Sequence, residues 1–288
     1  DREGNEIDQY VSTNSNRLSV GMDEIPDYLG KAFVAIEDER FYQHNGIDFK
    51  SIIRAGYQFF KTGGEEAQGA STITQQLLKN TVFTDWTSEG NNKIKKIKRK
   101  IQEQYLALEI TKYYSKDEIL LRYMNAINLG QNTLGVESAS LRYFGKHCSE
   151  LTISECAVIA SITQNPSKYN PIRHPEENVK RREKCLNKML ELGFISQTQY
   201  DEAMADTDAV YERIGLYDID YQEANATTGS YFSDAVYEQV KQDLILSGYN
   251  ENMAETLLTS GGLRVESTLD PKIQAILNEE YADPSNYP

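Results

Sequence analysis

From Pro26 to about Leu192 the apolar residues return every three or four positions, in "YLGKAFVAI", "SIIRAGYQFF", "STITQQLLKN" and "ISECAVIASI". That period belongs to helices that bury one face, so residues 21–195 are expected to form a predominantly α-helical domain, with Pro26 in its first turn. Strand-like alternation is confined to the ends. "NEIDQYVST" sets Ile7, Gln9 and Val11 against Asp8 and Tyr10, and "GGLRVESTLD" sets Leu263, Val265 and Ser267 against Arg264, Glu266 and Thr268. The two are expected to pair, making residues 1–20 a linker strand and residues 196–288 a linker of helices and strand. Within the second linker, "DIDYQEANATTGS" reads as a polar connection before a helix at about 231–247.

Charge and cysteine content narrow the function. With 44 acidic against 30 basic residues the net charge is −14, which excludes a general nucleic-acid binder and requires any anionic ligand to be met locally. Cys148, Cys156 and Cys185 lack C-x-x-C spacing and read as free thiols, while His44, His147 and His174 are too isolated for a zinc site. The longest apolar run, "AVIASI", is far short of the roughly 18 to 20 residues that span a bilayer. "KTG" at 61–63 matches part of a transpeptidase signature, but no serine is followed three positions later by lysine, so penicillin acylation is not expected.

Three stretches carry chemistry. In "AIEDERFYQHNGID", Glu37, Asp38, Glu39 and Arg40 stand between an apolar run and a glycine turn, with Phe33 and Phe41 one helical turn to either side of Glu37. Asp38 has Val34 and Tyr42 in the same relation, so spacing does not choose between the two carboxylates. In "KIKKIKRKIQEQYLALEI", a wheel of about 100° per residue puts Lys96, Arg99 and Lys100 within about 60° of Glu103. Ile94, Ile97, Ile101 and Leu108 fall on the opposite face, which is expected to be core, leaving the cationic face to hold a diphosphate or similar anion. In "GASTITQQLLKN", Ser71 or Thr72 can cap a helix whose start, with Gln75, Gln76 and Lys79, suits an anion equally well.

These stretches, with "KDEILLRYMNAINLG", "AVIASITQNPSKYNP" and "RREKCLNKM", resemble the ordered signature motifs of the peptidoglycan glycosyltransferases, the catalytic modules of class A penicillin-binding proteins and of monofunctional enzymes. The resemblance spans residues 26 to 190 and departs from the family pattern at Leu121, where glutamate is usual. It implies a lysozyme-like helical domain that polymerises lipid II into β-1,4 glycan strands, with inversion and release of undecaprenyl diphosphate. Glu37 would be the general base, partly desolvated by its two phenylalanines so that it accepts a proton more readily, and Glu103 the second catalytic carboxylate. Substrate contacts would come from Asp38, Ser71, Thr74, Gln75, Gln76, Lys79, Lys95, Lys96, Arg99, Lys100 and Asn125, with Asp38 also serving ion pairs alongside Glu39 and Arg40.

The resemblance further allows a divalent cation, Mg2+ or Mn2+, at Glu103, and requires no organic cofactor. The implied partners are lipid II, the growing strand, the membrane surface, to which a lobe bearing "YQFFK" would contribute, and cell-wall synthesis or division proteins. The implied place is the outer face of the cytoplasmic membrane, with an anchor helix before residue 1 and a transpeptidase domain after the second linker. The competing readings are a glycan-cleaving enzyme of related fold, which would not need a cationic diphosphate site, and a silent precursor-binding scaffold, which would not need both glutamates.

Overall fold

A computed structural model describes residues 1–4, 7, 18–62, 69–83, 93–131, 133–219, 231–249, 251–260 and 263–282. Most of the expected N-terminal strand, the segment 84–92 and most of "DIDYQEANATTGS" lie outside these residues. The chain divides into two compact units, residues 16–224 and residues 1–15 with 225–288.

The larger unit is helical. Its helices are α1 (Asp27–Glu37), α2 (Phe49–Lys61), α3 (Ile73–Thr81), α4 (Lys93–Ile110), α5 (Lys116–Ala126), α6 (Val136–Phe144), α7 (Ile153–Ala160), α8 (Pro175–Glu191), α9 (Gln197–Ala205) and α10 (Thr207–Glu212). Several starts are written locally: Thr72, Ser115, Thr152 and Ser196 each cap a helix and pair with a Glu or Gln three residues on. One antiparallel bridge, Asn128 to Leu134, is the β pairing among the described residues.

The core forms where α1 lies against α7 and α8 and where α3 lies against α5. Leu29 and Phe33 of α1, Ile73 of α3, Tyr123 and Met124 of α5, Ile159 of α7 and Leu186 of α8 are fully buried in one cluster. Phe33 meets Tyr123 edge-on, with ring centroids 5.7 Å apart. The three cysteines are free and buried, and Leu121 packs on the cluster edge.

α4 departs from expectation. The isoleucine face expected in the core is turned to solvent: Ile94 is 79% exposed, Ile101 62% and Tyr105 62%, whereas Glu103 and Ala107 are fully buried. Periodicity says which residues share a face but not which way the face looks. The direction here is set by Gly46 (φ +86), where a Cβ would come within 2.1 Å of the Ala107 carbonyl oxygen. That close approach, with Ile47 and Leu78 around Ala107, draws the Glu103 side of α4 inward. On α2, Phe49, Ile53 and Tyr57 form a second exposed apolar stripe.

In the smaller unit, helices Tyr231–Leu246 and Glu251–Ser260 pack on each other, and a stretch without regular structure leads on to the helix Pro271–Ala282. The strand expected over "GGLRVESTLD" is not formed among the described residues. Alternation survives, with Leu269 buried and Arg264, Glu266 and Thr268 exposed, but a strand also needs a neighbour along its length. The described tie is short: Arg2 N–H donates to the Leu269 carbonyl at 3.1 Å, and Arg2 pairs with Asp270 at 2.5 Å.

Candidate active site

A cleft of about 580 Å3 opens in the larger unit, lined by the carboxylates Glu37, Asp38, Glu39 and Asp48 and by the cations Arg54, Lys79, Lys100, Arg181, Lys184 and Lys188. Glu37 is the last residue of α1, where the negative end of the helix dipole disfavours a carboxylate. Donors distant in sequence offset that cost. Gln76 Nε2 donates to Oε2 at 2.8 Å, while Thr163 Oγ1 at 2.5 Å and Arg181 Nη2 at 2.7 Å donate to Oε1. The side chain keeps 9% exposure. The expected phenylalanine flanks are absent as a helical pair, because α1 stops at Glu37 and Phe41 begins a 3-10 turn; both rings lie in the core.

Asp38 turns the other way. Its Oδ2 accepts from the Ile73 N–H at 3.1 Å, and both its oxygens lie 3.0 Å from His44 Nε2. The anion at the head of α3 is therefore the protein's own Asp38, and that helix start is not open to a ligand. Beneath it, Lys116 Nζ sits 4.4 Å from the centre of the Phe41 ring, and burial, partly offset by the charge of Asp38, holds its ammonium below the usual range. Glu39 lies below the usual carboxylate range: burial pushes it up, but Arg54 at 3.2 Å and Lys188 at 3.5 Å outweigh that.

Glu103, expected as the second catalytic carboxylate, is fully buried and does not line the cleft. Arg99 and Lys100, one turn back on α4, pair with its two oxygens, Lys100 at 2.6 Å, and Lys100 Nζ also reaches Ser71 Oγ at 3.0 Å. Ser71 and Lys100 line the cleft together with Lys79, Gln75 and Gln76. Gln75 spends its amide oxygen on the N–H of Thr72, as the second half of a capping box. Gln76 joins Glu37 to the Tyr123 hydroxyl, which donates to its carbonyl oxygen at 3.2 Å.

The remaining expected residues do not reach the cleft. Thr74 is fully buried. Asn125 grips the backbone of Val20 with both ends of its amide, at 2.9 and 3.1 Å. Lys95 and Lys96 lie on the exposed stretch of α4. A divalent cation does not fit at Glu103, whose oxygens are occupied by two cationic side chains. Among the described residues no three His, Cys, Asp or Glu side chains converge elsewhere.

Sequence reading missed Thr163, Arg181, Lys184 and Lys188, which line the cleft. Thr163 and Arg181 sit inside stretches that the motifs mark, "AVIASITQNPSKYNP" and "RREKCLNKM". No local period singles them out, because they meet Glu37 across 126 and 144 residues of chain.

A family model described as Transglycosylase matches residues 3–190. Penicillin-binding protein 1A of Clostridium perfringens is 39% identical over all of this chain and 34% of its own length. Penicillin-binding protein 1F of Bacillus subtilis is 36% identical over all of this chain and 37% of its own length, so the chain spans about a third of these curated relatives. A crystal structure of penicillin-binding protein 1A from Haemophilus influenzae overlaps 84% of this chain and 23% of its own, at 22% identity and a TM-score of 0.42.

Proposed function

The chain belongs to the transglycosylase family, the peptidoglycan glycosyltransferases, and on that premise we propose that it polymerises lipid II into β-1,4 glycan strands. The observation that carries this reading is a cleft in which Glu37 stands with Lys79, Lys100, Arg181, Lys184 and Lys188, while the other lining carboxylates, Asp38, Glu39 and Asp48, are paired with His44, with Arg54 and Lys188, and with Arg40. Joining two sugars by expelling a diphosphate needs both parts: a base for a weak hydroxyl nucleophile and fixed positive charge for the leaving group.

In the proposed step the 4-hydroxyl oxygen of an acceptor N-acetylglucosamine bonds to the anomeric carbon of the donor muramyl unit. The bond from that carbon to the diphosphate oxygen breaks, and the electron pair leaves with undecaprenyl diphosphate. Glu37 takes the hydroxyl proton, and attack opposite the leaving group inverts the anomeric centre. Lys79 and Lys100 meet the developing negative charge, with Arg99 and Glu103 holding Lys100 and Ser71 in place.

A lipid-linked substrate also accounts for the exposed Phe49, Ile53 and Tyr57 of α2 and Ile94, Ile97 and Ile101 of α4. A membrane surface at the outer face of the cytoplasmic membrane would cover such stripes. Among the described residues no helix is long and apolar enough to cross a membrane. Incubation with labelled lipid II and sizing of the product tests the reading: long strands are expected, and fragments or unchanged substrate would overturn it.

A further inference from the structure

Glu39 differs from its neighbours in the cleft in what holds it. Asp38 accepts the Ile73 N–H and Asp48 accepts the Ser51 N–H, so each is fixed to backbone at the start of a helix. Glu39 is held by two long cationic side chains: Oε1 lies 3.2 Å from Arg54 Nη1 and Oε2 lies 3.5 Å from Lys188 Nζ. The two come from different helices. Arg54 is on α2, whose described residues are all at least partly exposed, and Lys188 is on α8, beside the buried Leu186 and Met189. One carboxylate therefore joins a lightly packed helix to the main core, through residues that all line the cleft.

Both pairs are of the exchangeable kind. The side chains are 27% exposed at Glu39, 45% at Arg54 and 35% at Lys188, and ion pairs open to water contribute little. Each cation has a further tie of its own, Arg54 Nη2 donating to Ser51 Oγ at 3.2 Å and Lys188 Nζ reaching Glu191 at 2.7 Å. Burial pushes the Glu39 carboxyl up, but Arg54 and Lys188 outweigh that and keep it an anion near neutral pH. A diphosphate carries more charge and more acceptor oxygens than a carboxylate, and it can bond a guanidinium at two points at once.

We propose that Glu39 is an internal competitor, which holds Arg54 and Lys188 until a substrate diphosphate displaces it and takes over the bridge between α2 and α8. This rests on the reading that the cleft takes lipid-linked diphosphates. Polymerisation brings two such molecules together, and only the donor's diphosphate leaves. Lys79 and Lys100 meet that one, so the diphosphate met by Arg54 and Lys188 is the one that stays on the acceptor. The ion pairs given up weaken substrate binding and leave the bond-making step at Glu37 untouched.

The test compares wild type, Glu39→Gln, Lys188→Gln and the double variant on lipid II in detergent, each checked for fold by circular dichroism. Glu39→Gln is expected to lower KM by about threefold to tenfold, the scale of partly exposed ion pairs, with a smaller change in kcat. In the Lys188→Gln background the same substitution should recover little of that gain. A KM unmoved or raised in Glu39→Gln, as a merely structural tie would give, overturns the proposal. So does a gain seen only in vesicles containing phosphatidylglycerol, which would make a phospholipid headgroup the displacing anion. Independently of turnover, the Arg54 side-chain signal in nitrogen NMR should move on titration with inorganic pyrophosphate, and at lower concentration in Glu39→Gln than in wild type. A signal that stays still, or moves at the same concentration in both, overturns the proposal. If Glu39→Gln does not fold, Glu39→Ser takes its place with the same deciding outcomes. A wild type that makes no polymer defeats the functional reading, and the Arg54 signal still decides the role of Glu39.

Discussion

Glu37 and Glu103 are carboxylates paired with cations, but the regions that hold them are built differently. Glu37 hangs from α1, packed between α7 and α8 in the main core, and its partners come from α3, the segment after α7, and α8. Glu103 sits on α4, which leaves its apolar stripe to solvent, and its charged partners are Arg99 and Lys100 of the same helix. The first region fixes a side chain through tertiary contacts; the second fixes one through helical spacing and then buries it. The Glu37 region is therefore fixed by contacts from several elements, while α4 carries positive charge to the cleft on a helix whose Ile97 and Ile101 are exposed.

The largest effect expected from breaking this contrast is on rate at Glu37. Glu37→Gln keeps the volume but removes proton acceptance, and should cut polymerisation by about 10^2-fold to 10^4-fold with lipid II binding retained. Polymerisation within tenfold of wild type would show that the core region does not hold the base.

Next comes the ion-pair unit on α4. Because Glu103 is fully buried, Arg99→Ala should destabilise by about 3 kcal/mol, far more than an exposed helical pair would cost, and should slow the reaction as well. The double variant Arg99→Ala/Glu103→Gln should be little worse than the more damaged single variant, since the two act together. Additive losses in melting temperature and rate would mean that they act independently.

A smaller effect separates the regions by pH. Glu155 on α7 is buried, which alone would raise its carboxyl, but Lys146 at 2.8 Å and the Thr152 N–H at 2.8 Å hold it below the usual range. The stabilisation is present above the unfolded value of 4.5 and is lost as pH falls through the lower folded value. Melting temperatures followed downward from pH 5 should therefore fall less steeply in Glu155→Gln, and an unchanged slope would remove Glu155 from the acid response.

The smallest expected change in stability is on the solvent side of α4. Ile101→Gln should shift stability by no more than about 0.5 kcal/mol, because the side chain is 62% exposed. On lipid II in vesicles it should slow polymerisation more than on lipid II in detergent. Equal slowing in both would argue against a surface role for the stripe.

The amino-acid sequence by itself determined what is local. Helical periodicity specified the α-helical character from α1 to α8, and Ser or Thr with Glu or Gln three residues later marked where α3, α5, α7 and α9 begin. Spacing likewise placed Arg99 and Lys100 beside Glu103, because residues three and four apart share a helix face in any setting. Tertiary structure alone decided what depends on direction and on distant chain. It turned the isoleucine face of α4 outward through the close approach of Gly46 to Ala107, and it gave the head of α3 to Asp38 rather than to a ligand. It set Asn125 on the backbone of Val20 instead of in the cleft. It also separated neighbours: Arg181 reaches Glu37, while Arg182, about 100° further round α8, is buried against Ser154 and Thr207. A period carries the angle between side chains on one helix but no information about what stands opposite, and opposite Glu37 stand residues 39, 126 and 144 positions away.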